Sequence, residues 1–524
     1  MESKRFSART SLLISSVVFL GGLLEVGKNV VIAFRYGSGP ETDAFFTAFL
    51  IPNTYSVFWS SACLVGLVPL LAVWTVEDTL ESRRLIGSVF LLSAAMALVL
   101  TLSAYAASPA IVRVLAPGFA AAQKAKTAAL FNRMIPLLLL SGVGGTVAAV
   151  LNSRHDFLLP VANKAITNTV VVVGLLLFFL PGTTTGWLAT LVVAGAALHA
   201  SLLLFRMRPL EVRLLGLWKL DRGRLGAIVI AILIPFLALA VRQISALVER
   251  IIGSYLAAGS ISALTYSYQL VMGAGTVVSS GVNLPLIPSL AKQGSPADKI
   301  ELLWQGLYYL LVLVLPLGCG IYLLAGPLVS VLFLRGAFTG ADAIRTAEVI
   351  GAYAFGLVFS SLVAHLQTVY WADRKYKLLI VQLALVTLVN VLVDVPLGFA
   401  FGAWGLAAGF TLASAASCAS MIWLIERDYG RLLSVGRLSV LVKPAAVTAI
   451  MATAMLAARG PASYFSSTLF GYGTSTEAFS RLCLLSGVGL VVFSAAGLAG
   501  GLEPLPSLAR SVLRRVSNSA AIAR

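Results

Sequence analysis

The sequence predicts an all-α, polytopic membrane protein, and three observations carry that prediction. Hydrophobic residues make up 59% of the 524 and charged residues only 11%, with a mean hydropathy of +0.94, a balance that excludes a soluble domain. Apolar runs recur between clusters of charge, Pro and Gly; at roughly 20 residues per helical span they number about fourteen. The two halves of the chain also resemble each other in sequence, which points to two pseudo-symmetric six-helix lobes followed by two further helices.

In chain order the expected spans are 11–36, 44–74, 84–108, 128–152, 157–180, 186–207, 225–252, 260–291, 304–325, 343–371, 377–399, 402–425, 439–458 and 479–502. An even number of spans puts both termini on one side, and the distribution of Lys and Arg says which. Both ends, MESKRFSAR and LARSVLRRVSNSAAIAR, are basic. With the termini cytoplasmic, the inner connections collect Arg83 and Arg84, the cluster from Arg206 to Arg224, then Arg374, Lys375 and Lys377, then Arg427, Arg431, Arg437 and Lys443. The net charge of +17 is therefore a collar facing anionic membrane lipids, and no basic domain stands apart to bind nucleic acid.

The repeat is legible in two places. GSGPETDAFFTAF, whose helix pair ends in VPLLA, corresponds to GSISALTYSYQLV, ending in IPSLAK, at an offset of about 222 residues; VLAPGF with the following AVLNSRHDF corresponds to VLFLRGAF with VYWADRKY, at about 219. Six spans per repeat is an even number, so both halves enter the bilayer in the same direction. The expected domains are thus an N-terminal lobe, 1–208, a C-terminal lobe, 209–426, and an appendix of two helices with a basic tail, 427–524.

Ionisable groups inside spans narrow the function. Each costs on the order of 2.5–3.5 kcal/mol at the bilayer centre, so it is expected to face a cavity or a partner. In LEVGKNVVIAFRYG, Glu25 and Lys28 share one helix face and can pair or jointly line water. In LALAVRQISALVERIIGSYL, Arg242 and Glu249 share a face, with Arg250 beside them. Asp43 starts the second span, where a carboxylate either caps the helix or faces the cavity. Arg133 and Lys164 lie near span ends and read as interface anchors.

The four cysteines and three histidines are scattered and show no metal spacing, so no metal site is expected. There is no phosphate-binding G-x-x-x-x-G-K-[ST] loop, no HExxH and no nucleophile elbow. No catalytic residue, no cofactor and no enzyme activity are expected. Cations in a cavity suit an anionic ligand such as a diphosphate.

TDAFFTAFLIPN, VLAPGF, AVLNSRHDF, LVERIIGSYLAAGSISALTYSYQL, LPLIPSLAK and LRGAFT, in this order, resemble the MviN/MurJ family, the lipid II flippases of the multidrug/oligosaccharidyl-lipid/polysaccharide exporter superfamily. The resemblance implies fourteen helices, a central cationic cavity and alternating access that carries an undecaprenyl-diphosphate-linked glycan across the bacterial inner membrane. It also identifies departures. Lys28 retains one family charge and Asp43 matches the family acid, whereas Gly22, Ser56 and Gln269 stand where arginine is expected, Glu25 is an extra acid and Ser61 lacks a carboxylate.

The expected substrate-binding set is accordingly Lys28, Glu25, Asp43, Arg242, Glu249, Arg250 and Gln269. Because three arginines are missing, the expected cargo is an exopolysaccharide repeat unit on undecaprenyl diphosphate, with polysaccharide polymerase and export proteins as partners. The alternatives are a lipid II flippase for peptidoglycan synthesis and a non-transporting scaffold of a polysaccharide-assembly complex.

Overall fold

The computed structural model describes residues 8–74, 80–177, 184–208, 222–241, 243–471 and 473–503. Every regular element among them is helical, as an apolar chain without water must satisfy its backbone groups within each segment. Eleven of the helical stretches are long and apolar enough to cross a membrane, and 163–177 and 226–237 are shorter apolar helices. Where they are described, the expected spans fall on helix, but not one for one: 377–399 and 402–425 share one helical stretch, and 157–180 and 225–252 coincide with the two shorter helices. The basic tail and most of the cluster between Arg208 and Arg222 lie outside the described residues.

Packing divides the chain into two compact units, 1–262 with 335–338, and 263–334 with 339–524. Sequence repetition and packing therefore part the chain at different places. The first unit holds α1 (Ala8–Tyr36), α2 (Pro40–Ala62), α3 (Val68–Trp74), α4 (Leu80–Ala106), α5 (Ser108–Leu115), α6 (Ala121–Met134), α7 (Pro136–Ser153), α8 (Leu158–Val161), α9 (Asn163–Leu177), α10 (Thr185–Met207), α11 (Arg222–Val241) and α12 (Ile244–Gly253). Ile228 and Ile232 of α11 are buried in the same core as Tyr55, Trp59, Ile86, Leu138 and Leu203, which is why the stretch after 208 packs with the first unit.

Between α2 and α3 the chain widens into a π-helical turn, Cys63–Leu67. Pro69 follows directly and has no N–H to donate, which favours a wider turn before it. The turn presents Gly66 to α11, where a Cβ would lie 1.8 Å from the Ala231 carbonyl oxygen. No rotamer relieves a clash with backbone. Gly66→Ala is therefore expected to destabilise the protein by about 3 kcal/mol, read as thermal unfolding in detergent. Gly273→Ala, with nothing within 4 Å of its added Cβ, is the control expected to change little.

The second unit holds most of α13 (Ser260–Lys292) and all of α14 (Pro296–Leu332), α15 (Gly340–Leu366), α16 (Thr368–Ala372), α17 (Tyr376–Tyr429), α18 (Val435–Phe470) and α19 (Ser475–Ala499). α17 is two helices joined at Gly402, whose φ of 64° is a left-handed conformation that glycine adopts without strain. The halves fold back on each other, so that Gln382 donates to Ser417 Oγ at 2.8 Å. Prolines lie inside several of these helices, where each removes one backbone hydrogen bond: Pro52 in α2, Pro235 in α11, Pro285 in α13 and Pro316 in α14.

The repeat has a backbone counterpart. His155 and Arg374 are the non-glycine residues of positive φ, at 62° and 57°, among those described. They are 219 residues apart, the offset of the second sequence match, and each ends a helix in its own half.

Candidate functional site

A cavity of about 570 Å³ opens within the first unit, and it gathers several of the polar groups that the sequence places inside spans. α1 contributes Glu25 and Lys28, α2 Asn53, Ser56, Ser60 and Ser61, and α9 Lys164 and Asn168. α7 closes the wall with Ser141 and Asn152, and α10 with His199. The close approach of α2 and α7 positions the serines. Trp59 Nε1 donates to the Gly142 carbonyl at 2.9 Å, and Ser141 Oγ to Ser56 Oγ at 2.8 Å. Ser56, where the family resemblance implies arginine, thus gives a neutral hydroxyl pair.

The charges divide unequally. Lys164 Nζ is 2.9 Å from Glu25 Oε2. Lys164 is therefore part of the cavity, correcting the expectation of an interface anchor: α9 packs on α1 so tightly that Lys164 Cβ lies 3.2 Å from the place of a Cβ on Gly21. Lys28, one turn along from Glu25, makes no hydrogen bond or ion pair among the described residues. Two cations and one acid leave a net positive cavity, in which Lys28 feels the Glu25 charge without bonding to it.

Asp43 stands apart from this cavity. Its Oδ2 accepts from Gly259 N–H at 2.6 Å, and its Oδ1 from Ser262 N–H at 2.8 Å and Ser262 Oγ at 2.6 Å. The carboxylate caps the turn that starts at Ser260, not its own helix, whose N-terminus is served by Thr42 and Gly39. Arg250 donates to the Ile261 carbonyl at 3.3 Å in the same region, one residue after Glu249 on α12. The structure brings Glu25 and Lys28 together and holds Asp43, Glu249 and Arg250 outside the walls of their cavity. Gln269 belongs to the second unit, and Arg242 lies outside the described residues.

Residues 32–474 match the family described as lipid II flippase MurJ. The chain belongs to the MurJ family. Among its relatives, the probable lipid II flippase MurJ of Thermotoga maritima is 25% identical over 462 residues, 87% of this chain and 91% of that protein. The corresponding protein of Rhizobium meliloti is 26% identical over 514 residues, 94% of each chain.

In fold, the chain is similar to a lipid II flippase MurJ in an inward closed conformation, with a TM-score of 0.78, 18% identity, and coverage of 93% of this chain and 99% of that one. It is more distantly similar to an inward-facing multidrug resistance transporter of the MATE family, with a TM-score of 0.62 and 13% identity over 79% of this chain. The all-helical membrane fold expected from the sequence is thereby established, and the family match makes the family one of flippases rather than enzymes.

Proposed function

We propose that this protein is a lipid II flippase of the bacterial inner membrane, carrying an undecaprenyl-diphosphate-linked peptidoglycan precursor by alternating access, with both termini cytoplasmic. The observation that carries the reading is the net positive cavity, in which Lys28 keeps its N–H donors unbonded among the described residues, in a chain of the MurJ family. A diphosphate offers several acceptor oxygens and about two negative charges, which charge-assisted donors recognise at short range. Lys28 is the resident donor. Lys164 joins it when its bond to Glu25 exchanges for a phosphate oxygen, and the serine and asparagine groups of α2 and α7 are placed for neutral contacts.

The family match and the printed names of the relatives favour this cargo over the exopolysaccharide unit expected from the missing arginines. One observation still speaks for the second cargo: Ser56 and Ser141 put hydroxyls where a further cation would strengthen diphosphate binding. Controlled depletion of the protein decides between them. Cells should accumulate lipid II and lyse, and an authentic lipid II flippase should rescue them. Cells that keep making peptidoglycan but lose a secreted polysaccharide and retain its lipid-linked unit would overturn the reading.

A further inference from the structure

The second unit carries a concavity of its own. It is a groove of about 910 Å³ between the two halves of α17, bounded by residues 377–389 before the Gly402 break and 416–427 after it. Its walls are apolar, with Leu378, Val381, Leu385 and Val389 on one side and Trp423 on the other, and Gln382 is tied into the floor through Ser417 and Ser420. One end is different in kind. Arg374, Lys375, Lys377 and Arg427 all line the groove there.

These cations are held at the mouth by the surrounding structure. The preceding Asp373 accepts from Lys299 Nζ at 2.5 Å and Tyr429 Oη at 2.6 Å, which pins the turn. Burial pushes the Asp373 carboxyl up, but the Lys299 and Tyr429 hydrogen bonds outweigh it and keep it below the usual carboxylate range. That acid is occupied elsewhere. Arg374 follows with a φ of 57°, the left-handed conformation in which the chain leaves α16. Lys375 Nζ sits 4.4 Å from the Tyr429 ring centroid, and Arg427 stacks over Trp423 while pairing with Asp428 at 2.8 Å. Arg374 and Lys377 have no ion-pair partner among the described residues.

From this arrangement we infer that the α17 groove is a binding site for an anionic glycerophospholipid, its phosphate on Arg374 and Lys377 and an acyl chain along Val381, Leu385 and Val389. Charge complementarity selects the occupant: a zwitterionic lipid fills the apolar groove equally well but gains far less at a mouth with two uncompensated cations. Length agrees. Lys377 to Val389 on a helix covers about 18 Å, close to one leaflet of a hydrocarbon core of roughly 30 Å. The inference is independent of which glycan is moved.

Native mass spectrometry of the full-length protein, delipidated in detergent and titrated with phosphatidylglycerol or phosphatidylcholine of matched chains, tests it. One phosphatidylglycerol should stay bound under conditions that strip phosphatidylcholine. Arg374→Gln with Lys377→Gln should weaken it by roughly tenfold or more, at about a factor of several per cation near a surface. Arg113→Gln with Lys292→Gln, the same charge loss at two exposed positions, should leave it unchanged. Val381→Trp, which fills the groove and keeps every cation, should also displace the lipid.

Equal retention of the two lipids, or equal loss in the control pair, would reduce the mouth to an unspecific basic collar and overturn the site. So would stoichiometric replacement of the bound lipid by undecaprenyl phosphate, or dimerisation that protects Val381 and Leu385.

Discussion

Lys28→Gln is expected to lower the rate at which lipid II reaches the outer face by roughly 10- to 150-fold, the equivalent of one charge-assisted hydrogen bond of about 1.5–3 kcal/mol. The protein should still reach the membrane at its normal level, since Lys28 holds nothing else in place among the described residues. Lys164→Gln should give a smaller loss, because it removes one donor but also leaves Glu25 without its partner. Glu25→Gln has the opposite sign. It raises the net charge of the cavity by one and frees Lys164, so the diphosphate lipid should bind at least as tightly as to the wild type. Complementation of depleted cells, with lipid II accessibility as the readout, checks all three. Lys28→Gln transporting at the wild-type rate would remove the cavity from the mechanism.

How far the sequence led can be judged from these same residues. Glu25 and Lys28 were legible because their spacing puts them on one helix face and the bilayer leaves them nowhere else to go. Lys164 was not, since its position near a span end suits an interface anchor equally well. Its partnership crosses 139 residues and depends on α9 lying against Gly21. That glycine in α1 was the available signal: a small residue on a membrane helix admits a close neighbour, without saying which.

The repeat was readable at both levels. Sequence matches supplied an offset, and two strained turns, at His155 and Arg374, reproduce it in the backbone. The compact units were not readable from the repeat. α11 continues the sequence beyond the first six spans, yet Ile228 and Ile232 are buried among the residues of α2, α4 and α7. Tertiary burial, which periodicity does not encode, made that assignment. The α17 groove shows the same limit, because Arg374, Lys375, Lys377 and Arg427 read as topology signals until the hairpin at Gly402 brings them to one end of one groove.

Asp43 separates structural from transport roles, and the second large effect is expected there. Asp43→Ala leaves the N–H groups of Gly259 and Ser262 without their acceptor in a buried region, and each such donor costs about 1–3 kcal/mol. A loss of about 4 kcal/mol is expected, seen as early thermal unfolding in detergent and a low level in membranes. Asp43→Asn keeps one carbonyl oxygen but turns an amide N–H₂ toward the other donor, so it should fall between Asp43→Ala and the wild type. Ser262→Ala removes only the hydroxyl, whose oxygen also lies 2.8 Å from Thr42 Oγ1, and should cost about 1 kcal/mol.

In this series transport should follow the amount of folded protein, whereas Lys28→Gln loses transport with stability unchanged. The contrary result is specific. If Asp43→Asn unfolds at the wild-type temperature yet moves no lipid, the carboxylate serves the cargo or its coupling and not the turn at Ser260, and the cap seen here is only one of the states through which Asp43 passes.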